Sequence, residues 1–296
     1  MAQGGRPSYI VVVGNLCNFL KILAVSHIHN GQTEEALEDI RLSLFLAQTL
    51  MDVPSRENFL FMCREVKKTI QPIWEGLLHG MWSPAQMEEI QRLTQSVPLL
   101  HLLEKSMEGE RCMLNEAIAM DRRGDMHYLY EGHGTIHFQR WRIRKNQVGL
   151  NRWLMEANQN MVSAGKNRVH AEHSQKYIAR KNEKFFPERM WFPYYIGSGY
   201  VVAANVQSAL DQAWIACQLE IHKLSGNGYP SDLAGLGVPL PNDVTTGNPY
   251  QYSPTIDGRY KLYSVGWNQV DDGGHPGKRP YGYYAKDWLW HYTPSP

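Results

Sequence analysis

The sequence predicts an α+β protein: an N-terminal all-helical domain built from helical hairpins, then a C-terminal helix packed on a small antiparallel sheet. Three observations carry this. Apolar residues recur at helical spacing through most of residues 8–121. A later apolar-periodic run, Ala209, Ala213, Ile215, Ala216, Leu219 and Leu224, stops at Gly226-Asn227-Gly228-Tyr229-Pro230. Two β-like pieces follow, Tyr250-Gln251-Tyr252 and Arg259-Tyr260-Lys261-Leu262-Tyr263-Ser264, joined across Ser253-Pro254-Thr255-Ile256-Asp257-Gly258. The expected divisions are a helical domain at 8–121, a basic, aromatic helical connector at 122–199 and the helix-plus-sheet module at 200–296.

The elements follow in order. Residues 10–29 read as a core-facing helix ended by Asn30-Gly31. Thr33 is placed to cap the next helix, with Glu34 and Glu35 in its first turn and Ala36, Ile40, Leu44, Ala47 and Met51 at helical spacing. The join between these helices is similar to that of a tetratricopeptide-type pair, although no repeat of that period is visible. Val53-Pro54-Ser55 opens a third helix, with Phe59, Met62, Val66, Ile70, Ile73, Trp74 and Leu77 inward and Gly80 as its end. Ser83-Pro84-Ala85-Gln86 predicts a capped helix start. Val97-Pro98 breaks the chain before another helix at 99–121.

Residues 124 and 131–134 read as loop. Residues 140–184 hold eleven Lys or Arg against three Glu, with Leu150, Leu154, Ala157, Met161, Ala164 and Val169 at roughly helical spacing. Phe186-Pro187, Phe192-Pro193-Tyr194-Tyr195 and Gly197-Ser198-Gly199 read as a breaker-rich connector, and the long C-terminal helix is expected from about Tyr200 to Ser225.

With 296 residues and a net charge of +1, the chain is long enough for about two domains and is not built electrostatically for nucleic acid. The basic run, despite Trp141 and Trp153, reads as a solvated helix face, with an acidic protein or headgroup partner as the other use of that charge. Cys17, Cys63, Cys112 and Cys217 form no C-x-x-C; three fall among apolar residues of predicted helices and read as buried thiols. Residues 9–28 carry Asn15, Asn18, Lys21 and His27 and fall short of a clean membrane span, and no signal peptide is read at residues 1–6.

The chemistry-bearing candidate is the loop Gly266-Trp267-Asn268-Gln269-Val270-Asp271-Asp272-Gly273-Gly274 with the later Asp287. A hard cation such as Ca²⁺ takes six to eight oxygens from carboxylates, amides and carbonyls on a flexible loop. Asn268, Asp271, Asp272 and Asp287 offer side chains of that kind. The other reading is a metal-free loop pinned by Asn and Asp turn hydrogen bonds. Zinc is not expected, because the donors are oxygens. His127, His133 and His137, with Glu131, match no zinc spacing and read as surface or packed histidines. G-x-S-x-G, Walker, dinucleotide and kinase signatures do not occur, so no catalytic centre is expected.

About the last 90 residues resemble the type II secretion major pseudopilins. Leu210-Asp211-Gln212-Ala213 through Gly226-Asn227-Gly228-Tyr229-Pro230 resembles their helix and its "nG-x-YP" turn. Gly247-Asn248-Pro249-Tyr250-Gln251-Tyr252 resembles their "GNPYxY" strand, and Leu262-Tyr263-Ser264-Val265-Gly266 their "LYSxG" strand end. Asp271-Asp272-Gly273-Gly274 and Asp287-Trp288 stand where that family has its acid-Gly-Gly and final "DI" elements. The whole chain also resembles proteins of planctomycetes and verrucomicrobia that put a helical region before such a module. The resemblance implies calcium in the loop, with a carbonyl from Val265 and side chains from Asn268, Asp272 and Asp287. Asn268 replaces the family's usual Asp, and the loop is one residue longer. The family's membrane-inserting first helix has no counterpart read here.

The implied function is a non-catalytic structural or interaction protein of a bacterial secretion or pilus-like apparatus. It is expected outside the cytoplasm, with the helical domain as the surface for protein partners and with no nucleic acid bound. The rival is a soluble accessory or scaffold subunit of an enzyme or membrane complex.

Overall fold

Asn30 and Gly31 turn the chain between two antiparallel helices, α1 (Ser8–His29) and α2 (Thr33–Thr49). Cys17 donates to the Ser43 carbonyl at 3.7 Å, and His27 meets Asp39 at 2.8 Å, so the pairing runs from the turn back along both helices. The structure, a computed structural model, describes residues 8–123, 140–173, 192–277 and 286–290. The loops expected at 124 and 131–134, the histidines 127, 133 and 137 with Glu131, and Phe186-Pro187 lie outside the described residues, as does the side chain of Trp141. Thr33 is the first residue of α2 rather than its cap, because its hydroxyl accepts instead from the Gln86 amide at 2.9 Å.

The third expected helix is two: α3 (Arg56–Lys68) and α4 (Ile70–Leu78). Pro72 explains the break at Thr69, since it has no N–H to donate back along a continuous helix and fits only a first turn. The residues expected inside remain there; Phe59, Met62, Val66, Ile73 and Leu77 are buried. Helix α5 (Pro84–Gln95) begins with the full reciprocal cap between Ser83 and Gln86, and α6 (Leu99–Arg123) follows.

Helix α7 (Arg140–Met161) ends earlier than the spacing suggested. Ala164 and Val169 lie instead on a hairpin, β1 (Val162–Ser163) paired antiparallel with β2 (Arg168–Val169). Asn167, at φ 47°, makes the left-handed turn that reverses the chain.

Helix α8 (Phe192–His222) starts eight residues before Tyr200 and runs through Gly197-Ser198-Gly199. Those glycines are contact points rather than breaks. A Cβ on Gly199 would lie 3.0 Å from the Met107 methyl of α6. Ser198 accepts from the buried Arg56 guanidinium of α3 at 2.5 Å. A π-type turn (Lys223–Asn227) ends the helix, with Gly226 at φ 86°.

The α+β class holds: the described chain is mostly helical, with two small antiparallel sheets. In the second sheet, β3 (Gln251–Pro254), β4 (Tyr260–Ser264) and β5 (Trp288–Trp290) lie in that order. Gln251 pairs with Tyr263, Pro254 with Tyr260, and Ser264 with Trp288. Gly266 lets β5 come alongside: at φ 70°, its missing Cβ would lie 2.2 Å from the Lys286 carbonyl.

Helix α8 packs against α3, α4, α5 and α6, and also against β2, β4 and β5. Buried residues from the helices and the sheet form one core. Cys63 and Cys217 are buried in it, Cys17 is buried between α1 and α2, and Cys112 is exposed. One described helical stretch, Tyr9–His29, is long and apolar enough to cross a membrane by length and composition, and a third of it is buried.

Candidate functional site

Polar side chains interrupt the apolar surface of α8 at intervals, and several of them hold neighbouring elements. Asn205 accepts from Lys67 of α3 at 2.5 Å. Gln212 donates to the Trp288 carbonyl of β5 at 3.0 Å. Gln91 of α5 donates to the Trp214 carbonyl and to Gln218, both at 3.1 Å. Glu220 accepts from Tyr229 at 2.5 Å. Burial lowers the Lys67 ammonium to about 8, because a charge there loses its water.

Asp211 is the most perturbed of these groups. It is buried and accepts from Gln207 at 2.9 Å, from the Tyr250 hydroxyl at 2.9 Å and from Asn167 at 3.3 Å. Those three donors favour the carboxylate, but burial outweighs them, and Asp243 adds like charge. The carboxyl is pushed up to about 7. Burial and the same two acids keep Tyr250 protonated as the donor. One carboxyl thus joins α8 to the β1–β2 turn and to the start of β3. It also borders a cavity of about 330 Å³, with Thr94, Pro98, Asn167, Gln207 and Trp214. In the sequence the one signal for Asp211 is an acid set among the apolar residues of a helix that carries just one other, Glu220.

The acid-glycine loop brings Asn268, Asp271, Asp272 and Asp287 together, with Val265 at its entry. Asp287 is fully buried and accepts from the backbone N–H groups of Asp272, Gly274 and His275 at 3.3, 2.6 and 3.3 Å. Burial raises its pKa against the pull of those three donors. Asp271 accepts from Gly273 N–H at 2.9 Å and from Tyr263 at 3.0 Å. Asp272 accepts from Asn268 and from the Lys286 ammonium, both at 3.0 Å; Lys286 is the first cause of its lowered pKa. Asn268 turns its oxygen to Val270 N–H at 3.2 Å. Lys261 donates to the Gly273 carbonyl at 2.8 Å. The Val265 N–H goes to Asp243 at 3.2 Å.

Those donors bear on the calcium expectation. The ion would need six to eight converging oxygens. Here the same oxygens face N–H groups, and two ammonium groups stand among them. In this arrangement those oxygens are taken by protein donors, and a calcium ion would have to displace them.

A third constellation was not visible in the sequence. Ser163 Oγ lies 3.0 Å from His170 Nε2, and His170 Nδ1 lies 3.0 Å from Glu172. A nucleophile, a base and an orienting acid are arranged this way in serine hydrolases. The next feature of such a site is occupied here. The backbone N–H of Ala164, which follows the serine, donates to the Glu104 carboxylate at 3.3 Å. In hydrolases where that N–H helps to bind the oxyanion it must be open to substrate, whereas here a carboxylate takes it. Glu172 is also tied to Arg168 and Gln269. The trio braces the hairpin against the loop that Gln269 carries.

No protein-family model, curated protein or solved structure matches the chain.

This geometry has three measurable consequences. The folded protein holds the Asp211 proton to about pH 7, whereas the unfolded chain releases it near pH 3.8. The folded state therefore binds more protons between those values, and stability falls as pH rises through them. Urea unfolding of wild type and Asp211→Asn across that range checks this. The variant should lack the fall, with a difference above pH 7 of no more than about 4 kcal/mol; parallel curves would refute it. Asp287→Ala leaves three backbone donors without their acceptor and should cost on the order of 3 kcal/mol. Calcium or chelator should leave the wild-type midpoint unchanged. A calcium-dependent rise that Asp287→Ala abolishes would restore the ion, with Lys286 displaced.

Proposed function

We propose that this chain is a non-catalytic structural and interaction protein of a bacterial secretion or pilus-like apparatus, acting outside the cytoplasm. Its docking surface is the outer side of the α1–α2 hairpin, and its partner is an apolar helix of another component. The observation that carries this reading is the mismatch between the composition and the burial of α1. Apolar residues occur around its whole circumference, and such a helix is ordinarily covered on all sides. Ile10, Cys17, Leu20, Ala24 and Ile28, with Gly14, are its buried residues, and Val13 is partly buried against the core. Phe19 and Ile22 are 58% and 64% exposed, and Phe45 of α2 is 63% exposed. The contact between Cys17 and Ser43 places Phe45 at the level of Leu16 and Phe19 along the hairpin. Exposed apolar residues gathered in this way mark interaction surfaces.

The resemblance of residues 200–296 to pseudopilins supplies the kind of apparatus. On this reading the acid-glycine loop is a latch, closed by Lys286 and Lys261 in place of an ion, that fixes β5 to the sheet. The occupied N–H beside Ser163 supports a bracing rather than a catalytic role for that trio.

A photo-crosslinking residue at Phe19 or Phe45, introduced into the full chain in its own cells, tests the docking surface. The expected adduct is with an envelope secretion or pilus component, and Ile22→Lys should reduce it severalfold. An adduct in fixed stoichiometry with an enzyme subunit would establish the accessory-subunit reading instead. Adducts with lipid alone would also overturn the proposal.

A further inference from the structure

We infer that His29, Glu75 and His79 form a three-ligand site for a transition-metal ion of the zinc class. The site lies where two helix ends meet. Helix α1 ends on His29, and His79 immediately follows α4. Glu75 precedes His79 by four residues, so both project from the same side of α4. One ligand atom from each of the three side chains lies within 4.8 Å of the other two.

The chemistry of the donors selects the ion. Two imidazole nitrogens and one carboxylate oxygen suit zinc, with bonds of about 2.0–2.2 Å and tetrahedral edges near 3.4 Å. His79 Nε2 and Glu75 Oε2 are already 3.7 Å apart. That is too long for a hydrogen bond and close to the separation of two ligands on one ion. The imidazole rings of His29 and His79 stand 5.4 Å apart, tilted by 58°. Both histidines are exposed, so a side-chain rotation of His29 can shorten its two edges to the same length.

Four of the other described histidines are committed elsewhere. His27, His170, His173 and His222 each place a ring nitrogen within 3.0 Å of a protein partner. Among the described residues no such bond is found for His29 or His79. Both helices also direct their C-terminal, partially negative ends here, which favours a cation.

The ion would clip the end of α1 to the end of α4, two elements that otherwise meet through apolar packing. Three protein ligands leave a fourth position, for water or for a side chain of a partner. His79 also lines a cavity of about 390 Å³ with Trp82, Met87, Lys223, Tyr229 and Arg259, so that position is approached from a concave face.

The test uses the untagged full chain, stripped with chelator and titrated with Co²⁺. One equivalent should give the visible absorption of a tetrahedral cobalt ion, and one equivalent of Zn²⁺ should abolish it. Ca²⁺ should not compete, being a hard ion without preference for nitrogen. His29→Ala and Glu75→Gln should each weaken Co²⁺ binding by at least about tenfold. Their metal-free melting midpoints should stay close to wild type, because His29 is exposed and Gln keeps the size and shape of the half-buried Glu75 side chain. Absence of the absorption, or binding that survives both substitutions, would overturn the site; the latter would assign the ion to other histidines.

Discussion

Helix α8 has no solvent-exposed side between Gly197 and His222, and the rest of the fold answers that constraint. A helix covered all round needs two separate layers. Helices α3 to α6 supply one, and the β1–β2 hairpin with the three-stranded sheet supplies the other. Apolar burial is strong but has no direction. The polar residues of α8 supply the direction. Lys67, Gln91, Tyr250, Trp288 and Tyr229 each bond to specific groups on this helix. A slip of α8 by one residue would break all of these bonds, and a buried donor or acceptor left unpaired costs about 1–3 kcal/mol.

The same logic gives physical roles to the tyrosines of the C-terminal region. Tyr250 anchors the approach to β3 on Asp211. Tyr252 reaches the Pro230 carbonyl at 2.9 Å, so the strand holds the turn that ends α8. Tyr229 packs edge-on against Tyr260, with ring centroids 5.0 Å apart. The loop beyond β4 is closed by Asp287, whose carboxylate collects backbone N–H groups from the preceding segment just before β5 begins. Turn, sheet and loop are thereby fixed to one another and to the helix. The exposed α1–α2 face lies on the opposite part of the chain's sequence, where the fold leaves apolar surface uncovered.

Much of this architecture was legible in the sequence, for identifiable reasons. Helical spacing placed α1, α2, α5 and α6, and Ser83 with Gln86 marked a start that depends only on local hydrogen bonds. The hairpin of β3 and β4 followed from alternation and its turn. What the sequence obscured depends on contacts between distant segments. Gly197-Ser198-Gly199 reads as a break because glycine is a poor helix former, yet Met107 and Arg56 make small residues necessary there. Strand β5 has three residues and gains its identity only from β4. Asp287 stands out in the sequence as a candidate ligand, whereas its three backbone donors are visible only in the fold. Asp211, the Ser163–His170–Glu172 trio, and His29 beside Glu75 and His79 are brought together by folding, and spacing along the chain carries little trace of them.

If α8 is the shared centre of both layers, the sheet cannot open while the helices stay closed. Native-state amide hydrogen exchange measures this directly. Amides of α8, β4 and α3 should exchange only through global unfolding, with the same opening free energy as urea denaturation gives for the whole chain. Exchange of β3, β4 and β5 through a markedly cheaper opening, with α3 to α6 still protected, would contradict the account and divide the protein into two independent units.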